Sequence, residues 1–265
     1  MTDISNADYH ADPAVSASHL KTVMQSPYHY WSRYLDLSRV AMVPTAAMRL
    51  GSLTHCAVLE PDELTKRYQL APDRRTNAGK AAVVEMAAAG IEAVSEADLA
   101  QALQMADAVR SNSTASSLLA NGQAEQSFWW DDIATGMRCK CRPDWFDGET
   151  IVDLKTCVDA SPAGFARAVA QWAYQVQAAH YLCGTLAKRF IFVAVEKSAP
   201  YAVGVYELDA QAMVHGSVLR HNALQRIQDC RAINEWPGYT DGGIQTLQLP
   251  GWALKDNSTF TSEDF

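Results

Sequence analysis

Three residues have the types and spacing to do chemistry: Asp144, Asp153 and Lys155. Read as strands with a period of two, Arg138, Lys140, Arg142 and Asp144 share one parity and line one face, with Cys139 and Cys141 on the other. A carboxylate therefore ends a row of cations. In the next strand Asp153 and Lys155 share a face, while Val152 and Leu154 point to an apolar side. A turn at Asp147-Gly148 would pair the two strands and let Asp144 and Asp153 converge. Two facing carboxylates repel, so a buried pair needs a raised pKa or a cation between them. A divalent ion meets that need, and oxygen ligands favour Mg²⁺ or Mn²⁺. Such an ion activates water and stabilises charge on a phosphodiester under attack. A lysine close by can orient that water, or take its proton if its own pKa is depressed.

The elements that must position these groups follow from the pattern around them. QSFWW, GMRCKCRPDWF and ETIVDLK read as three strands, with Asp131-Asp132 and Asp147-Gly148 as turns. A helix is expected over 162–184. RFIFVAVEK and YAVGVYEL read as buried strands, and 207–232 as a further helix. Upstream, residues 1–15 read as an irregular lead-in. Ser16 to Lys21 opens a helix that Ser26-Pro27 interrupts, and the aromatics Tyr28, Tyr30, Trp31 and Tyr34 follow as core packing. A helix over 46–60 stops at Pro61. Gly51 within it suggests close approach of another backbone. Residues 71–80 read as a polar, basic loop, and 81–110 as two helices broken near Gly90. The order predicts an α/β fold with a mixed central sheet flanked by helices. We expect a single domain over 1–265: a mostly helical part over 1–120, a catalytic sheet with its helices over 121–235, and a surface tail over 236–265.

Two further pairs fit the same centre. Gln177 and Tyr181 stand i,i+4 on the helix after the second motif strand and share a face. An amide and a phenol there could hold a phosphate or a base, though ordinary polar helix positions would look the same. Gly51 and His55 also share a face. Beside two carboxylates, His55 is a candidate third metal ligand. Gly79-Lys80 lacks the earlier glycine of a phosphate-binding loop, so an NTPase is excluded. The six cysteines include one C-x-C pair, Cys139 and Cys141, with no second pair at zinc spacing, so they read as reduced thiols. With 48% hydrophobic and 20% charged residues, the chain reads as globular. No apolar run is long enough for a membrane helix, and no secretory signal is seen, so a cytoplasmic location is expected. A net charge of -8 argues against nonspecific coating of nucleic acid, but it does not bear on a local site.

Pro143-Asp144 followed by Asp153-Leu154-Lys155 matches Pro-Asp…(Asp/Glu)-x-Lys, a motif that is weak alone. Taken with SASHLKTVMQSPYHY, MRLGSLTHCAVLEP, DRRTNAGKA, GQAEQSFWW, KCRPDW, IVDLKT, YQVQAAHY, FVAVEKSAPYAVGVYEL and WPGY, the chain resembles the RecE-type exonucleases. These exodeoxyribonuclease VIII-like enzymes belong to the RecB-like branch of the PD-(D/E)XK nucleases. The resemblance implies a restriction-endonuclease-like core with an N-terminal helical elaboration. It implies that His55, Asp144 and Asp153 ligand the metal together with the Leu154 carbonyl, that Lys155 serves the attacking water, and that Gln177 and Tyr181 help position DNA. It further implies Mg²⁺-dependent degradation of duplex DNA from 5′ ends, with Mn²⁺ substituting. The product would be a 3′ single strand for a RecT-like annealing protein. A ring-shaped homo-oligomer, trimer or tetramer, and a bacterial, phage or prophage origin also follow.

Arg74, Arg75 and Lys80 are candidates for the 5′ phosphate or the backbone, with a solvated loop as the alternative. Arg138, Lys140 and Arg142 are candidates for DNA contact. Glu125 would hold a second metal or support the first, or would be a surface strand residue. Some RecB-like enzymes carry an iron–sulfur cluster beginning at a Cys-Pro. Here Ser26-Pro27 stands in that place and the C-terminal cysteine trio is missing, so no cluster is expected. Two rivals remain: an endonuclease on the same fold, and a noncatalytic DNA-binding protein.

Overall fold

The computed structural model describes residues 4–40, 42–240 and 243–254. The chain starts with α1 (Asn6–Ala11), α2 (Ala17–Gln25) and α3 (Pro27–Tyr30), the last running on as a π-helical turn. Then come α4 (Ala46–Leu59), α5 (Leu64–Arg67), β1 (Tyr68–Leu70), α6 (Asn77–Ala88), β2 (Glu92–Val94), α7 (Glu96–Ser111) and α8 (Ser113–Leu118). Six strands and two helices build the centre: β3 (Gln123–Ala124), β4 (Phe128–Asp131), β5 (Arg138–Cys141), β6 (Trp145–Phe146), β7 (Thr150–Cys157), α9 (Pro162–Gln171), α10 (Tyr174–Thr185) and β8 (Arg189–Glu196). The strand β9 (Val203–Glu207) and the helix α11 (Ala210–Ile233) follow. Among the described residues, no helix is long and apolar enough to cross a membrane.

The central sheet is mixed, in the order β3-β6-β7-β8-β9. β7 and β8 run parallel and the other neighbours antiparallel. The crossover from β7 to β8 is made by α9 and α10, as a parallel pair requires. β7 is buried on both faces because alternate residues serve different cores. Val152 and Leu154 pack with Val193 and Val195 against Ala57 of α4 and Met105 and Val109 of α7. Ile151 packs with Phe190 and Phe192 against Phe165 of α9 and Ala178 of α10. Each large apolar side chain so buried contributes roughly 1.5–3 kcal/mol. A third cluster joins Leu20 and Val23 of α2, Tyr30, and Leu224 and Ile227 of α11, behind α10. Tyr30 is core, as expected of the aromatic run, whereas Tyr28 is 53% exposed.

Several expectations from local pattern are corrected. The lead-in is not irregular: Ser5 caps α1 by accepting from Asp8 N at 3.1 Å, and Tyr9 is buried. The 71–80 loop ends early, since Thr76 caps α6 through Gly79 N at 2.9 Å and so puts Lys80 on a helix. The break at Gly90, with φ +74°, leads into β2, which pairs with β1. The expected 162–184 helix is two helices, divided at Ala173 with a left-handed φ of +49°. A Cβ on Gly51 would meet only Thr156 Oγ1 at 3.9 Å, an ordinary contact, so no backbone crowds that position. In the tail, Trp236 stacks on Tyr30 with ring centres 5.4 Å apart, and Tyr239 OH accepts from Gln25 Nε2 at 3.1 Å. Residues 243–250 are exposed, and 241–242 and 255–265 lie outside the described residues.

Candidate active site

The β6–β7 hairpin turns at Asp147-Gly148, as the sequence predicts. Asp147 Oδ1 accepts from Glu149 N at 2.8 Å and Thr150 N at 2.6 Å, and Gly148 takes φ +100°. Trp145 pairs with Val152 and Phe146 with Ile151. One step further along this register sets Asp144 opposite Asp153. There β6 has ended, and the open edge of β7 is met by a side chain: Asp144 Oδ2 accepts from Leu154 N at 2.8 Å. On the other side of β6, Ala124 pairs with Trp145, and the next step sets Glu125 opposite Asp144. Glu125 N donates to Asp144 O at 3.2 Å, with Glu125 in the left-handed region at φ +56°. Glu125, Asp144 and Asp153 therefore form one row across three neighbouring strands.

Asp153 is 0% exposed. Its Oδ1 accepts from Gln177 Nε2 at 2.6 Å. Its Oδ2 is buried without a hydrogen bond of good geometry and lies in close ionic contact with Lys155 Nζ. Burial pushes the Asp153 carboxyl up, the Lys155 ammonium pulls it down, and the Asp144 charge adds to the rise; the net shift is up, to about 6. For Lys155, burial lowers the pKa, but the charges of Asp153 and Asp144 outweigh it and hold it above its ordinary value. The neighbouring carboxylates thus favour the ammonium form of Lys155. Glu125 is pushed up to about 8, first by burial and then by Asp144. Like charges are thus held together at some cost, the usual mark of a functional centre.

His55 reaches this row from α4, its Nδ1 3.5 Å from Asp144 Oδ2. Among the described residues, no three His, Cys, Asp or Glu side chains are grouped closely enough to hold an ion as they stand. A buried carboxylate oxygen lacking a hydrogen bond, next to Asp144 and His55, is nevertheless a donor set that suits a hard divalent cation.

Gln177 and Tyr181 both line a cavity of about 440 Å³ with Lys21, Arg33, Glu125 and Arg142. A second hollow of about 780 Å³ is lined by Ser52, His55, Glu60, Arg67, Glu125 and Arg142. Glu125 and Arg142 border both, so the two hollows adjoin beside the carboxylate row. Arg142 crosses the Tyr9 ring at 4.2 Å and donates to Ser127 Oγ at 2.7 Å.

The expected cation row is not a single face. β5 ends at Cys141, and its edge is taken by Val15, whose O accepts from Lys140 N at 2.9 Å. Lys140 is 2% exposed and spends its ammonium on the carbonyls of Tyr9 and Asp12, tying down α1. It borders the 440 Å³ cavity, but its ammonium is already bonded to those two carbonyls. Arg138 is exposed beside Asp131 at 3.4 Å. Arg75 pairs with Asp73 at 3.0 Å, and Lys80 is exposed. Arg74 lines a separate cleft of about 590 Å³ with Arg49 and Leu53, and none of these three lines the two hollows of the site.

Lys21 and Tyr174 were not expected here. Lys21 Nζ donates to Gln177 Oε1 at 3.3 Å. Their only local signal was a lysine set among the apolar positions of α2 and an aromatic at the first turn of α10.

A family model described as a PDDEXK-like domain of unknown function (DUF3799) matches residues 16–249. The chain belongs to this PDDEXK-like family. Among solved structures, a protein provisionally assigned as an exonuclease from Eubacterium rectale is 14% identical, with a TM-score of 0.65, over 97% of this chain and 100% of its own. A phage-related exonuclease from Haemophilus somnus is 11% identical, with a TM-score of 0.37, over 83% of this chain and 96% of its own. The first likeness shows a shared fold. No curated protein matches. The PDDEXK-like assignment agrees with the mixed sheet flanked by helices.

Proposed function

We propose that this PDDEXK-like protein is a metal-dependent nuclease that degrades duplex DNA from 5′ ends and leaves 3′ single strands. The reading rests on one observation above all: Asp144 and Asp153 face each other across a hairpin, with Lys155 on Asp153 and Gln177 holding its other oxygen. A packed core has no use for that arrangement, and hydrolysis of a phosphodiester does. His55, Asp144, Asp153 and the Leu154 carbonyl would hold Mg²⁺, with Mn²⁺ able to substitute. When bound, the ion supplies a Lewis acid and a water of lowered pKa. Lys155, as an ammonium, orients the attacking water and offsets charge on the phosphate. Gln177 fixes the rotamer of Asp153, and Tyr181 presents its phenol to the cavity where a strand end would enter. The 5′ polarity, a RecT-like annealing partner and a ring-shaped trimer or tetramer come from the resemblance to RecE-type enzymes. We also propose one nuclease domain, with the 1–120 part as its helical elaboration.

The test is digestion of linear and covalently closed duplex DNA, with and without Mg²⁺, labelled at either end. Loss of the linear form alone, only with metal and from the 5′ end, is the expected result. Asp144→Ala should lower that rate by at least about 10³-fold, since it removes a ligand and the Leu154 amide contact. Cutting of the circle would make the protein an endonuclease. Binding without cutting would make it a noncatalytic member of the fold.

A further inference from the structure

Lys21 is a cation without a carboxylate. It projects from α2, partly buried, and among the described residues it has no salt-bridge partner. Its neighbours are the Gln177 amide and the face of Tyr174, with Nζ 4.9 Å from the ring centre. Lys155 Nζ lies 5.0 Å from the centre of the same ring. Two ammoniums thus share one aromatic ring at the edge of the carboxylate row. Burial and the Lys155 charge hold Lys21 down to about 8. Bringing two like charges together beside a hollow costs free energy unless an anion completes the set. Lys155 pairs directly with Asp153, whereas Lys21 donates to the neutral amide oxygen of Gln177 and feels the Asp153 charge only without contact. The cavity it lines, about 440 Å³, also receives Gln177 and Tyr181.

We propose that Lys21 is a second catalytic lysine, whose ammonium binds a non-bridging oxygen of the phosphodiester under attack. The inference rests on the nuclease reading above. Gln177 is the positioning residue: one amide holds both Lys21 and Asp153, so the phosphate contact and the metal-ligand carboxylate are set by a single side chain. Lys21 forms no covalent bond and transfers no proton. It adds fixed positive charge where charge grows on the phosphoryl oxygens.

The experiment compares wild type, Lys21→Met, Lys21→Gln and Lys21→Arg in single-turnover cleavage of linear duplex with Mg²⁺. In parallel, DNA binding is measured against salt in the Asp144→Asn background. Lys21→Met is expected to lose roughly 10²-fold in rate. Lys21→Arg should keep most of it, because the charge remains. The slope of log affinity against log salt should fall by about 0.9 for Lys21→Met, the value of one phosphate contact. A residue that merely packs α2 on α10 would not move that slope. A folded Lys21→Met or Lys21→Gln with wild-type rate or unchanged slope overturns the proposal. Wild-type protein that binds DNA but cuts nothing removes the nuclease reading, and the salt slope then still decides whether Lys21 meets phosphate.

Discussion

At the scale of residues, the site is a set of charges that oppose one another. Glu125 shows the consequence most directly. In an unfolded chain its carboxyl titrates near 4.5, and in the folded protein burial and Asp144 push it up to about 8. Its folded pKa is raised, so its contribution to stability is fully present below about 4.5 and is lost as pH rises through about 8. Over that window the unfolded chain ionises and the folded one does not. In the presence of a chelator, Glu125→Gln should therefore melt higher than wild type near pH 8 and equally near pH 4, because an amide cannot ionise. Calorimetry across that range reads it, and identical melting at both ends would show that Glu125 is not held in the row. The residue motif itself was readable from Asp144, Asp153 and Lys155, since strand parity and a two-residue turn dictate which side chains meet. Glu125 was left open because its place depends on the β3–β6 register. Lys21 was missed because no local periodicity links α2 to α10.

At the scale of elements, the hairpin β4–β5 and the long helix α11 are fastened by a buried ion pair. Arg220 Nη2 donates to Asp132 Oδ2 at 2.5 Å, and Asp132 Oδ1 accepts from Thr135 N at 3.0 Å and Thr135 Oγ1 at 2.8 Å. Arg220 Nε also meets His180 Nδ1 at 3.4 Å, while His180 Nε2 faces the carbonyls of Val15 and Lys140. α10 is thus locked at the pitch that aims Gln177 at Asp153. Arg220→Ala leaves Asp132 buried and unpaired, and such losses cost roughly 3–5 kcal/mol. Chemical denaturation should show a drop of that size, with cleavage by the remaining folded protein reduced as well. A loss under about 1 kcal/mol would mean that Asp132 is satisfied by other groups. The helix and strand assignments read well where hydrophobic periods were long, as in α4, β8 and α11. They failed where a single residue takes a left-handed φ, as at Ala173, because nothing in an alanine announces it.

At the scale of the whole molecule, a net charge of -8 must coexist with a site for a polyanion. Local cations resolve this in part, since Lys21, Arg33 and Arg142 all line the hollow beside the row. A closed ring would resolve it further by collecting such hollows around one channel and turning acidic surface outward. Sedimentation at assay concentration should show a trimer or tetramer. A monomer that still digests long duplexes without release would remove the ring from the proposed function.

By itself the sequence determined the family of the fold and the pair of facing carboxylates. The carboxylates follow from near-neighbour geometry, side-chain alternation along a strand and a tight turn that reverses it; the family follows from the resemblance of segments along the whole chain. Tertiary structure alone decided which cations serve the site. Lys140 and Arg142 share a strand parity and both border the hollow, yet the Lys140 ammonium is buried on the carbonyls of Tyr9 and Asp12 while Arg142 stays partly exposed. Lys21 lies 156 positions from Gln177 and meets it only because α2 packs across α10. Contacts between distant elements depend on how whole cores stack, and no local pattern of side chains carries that information.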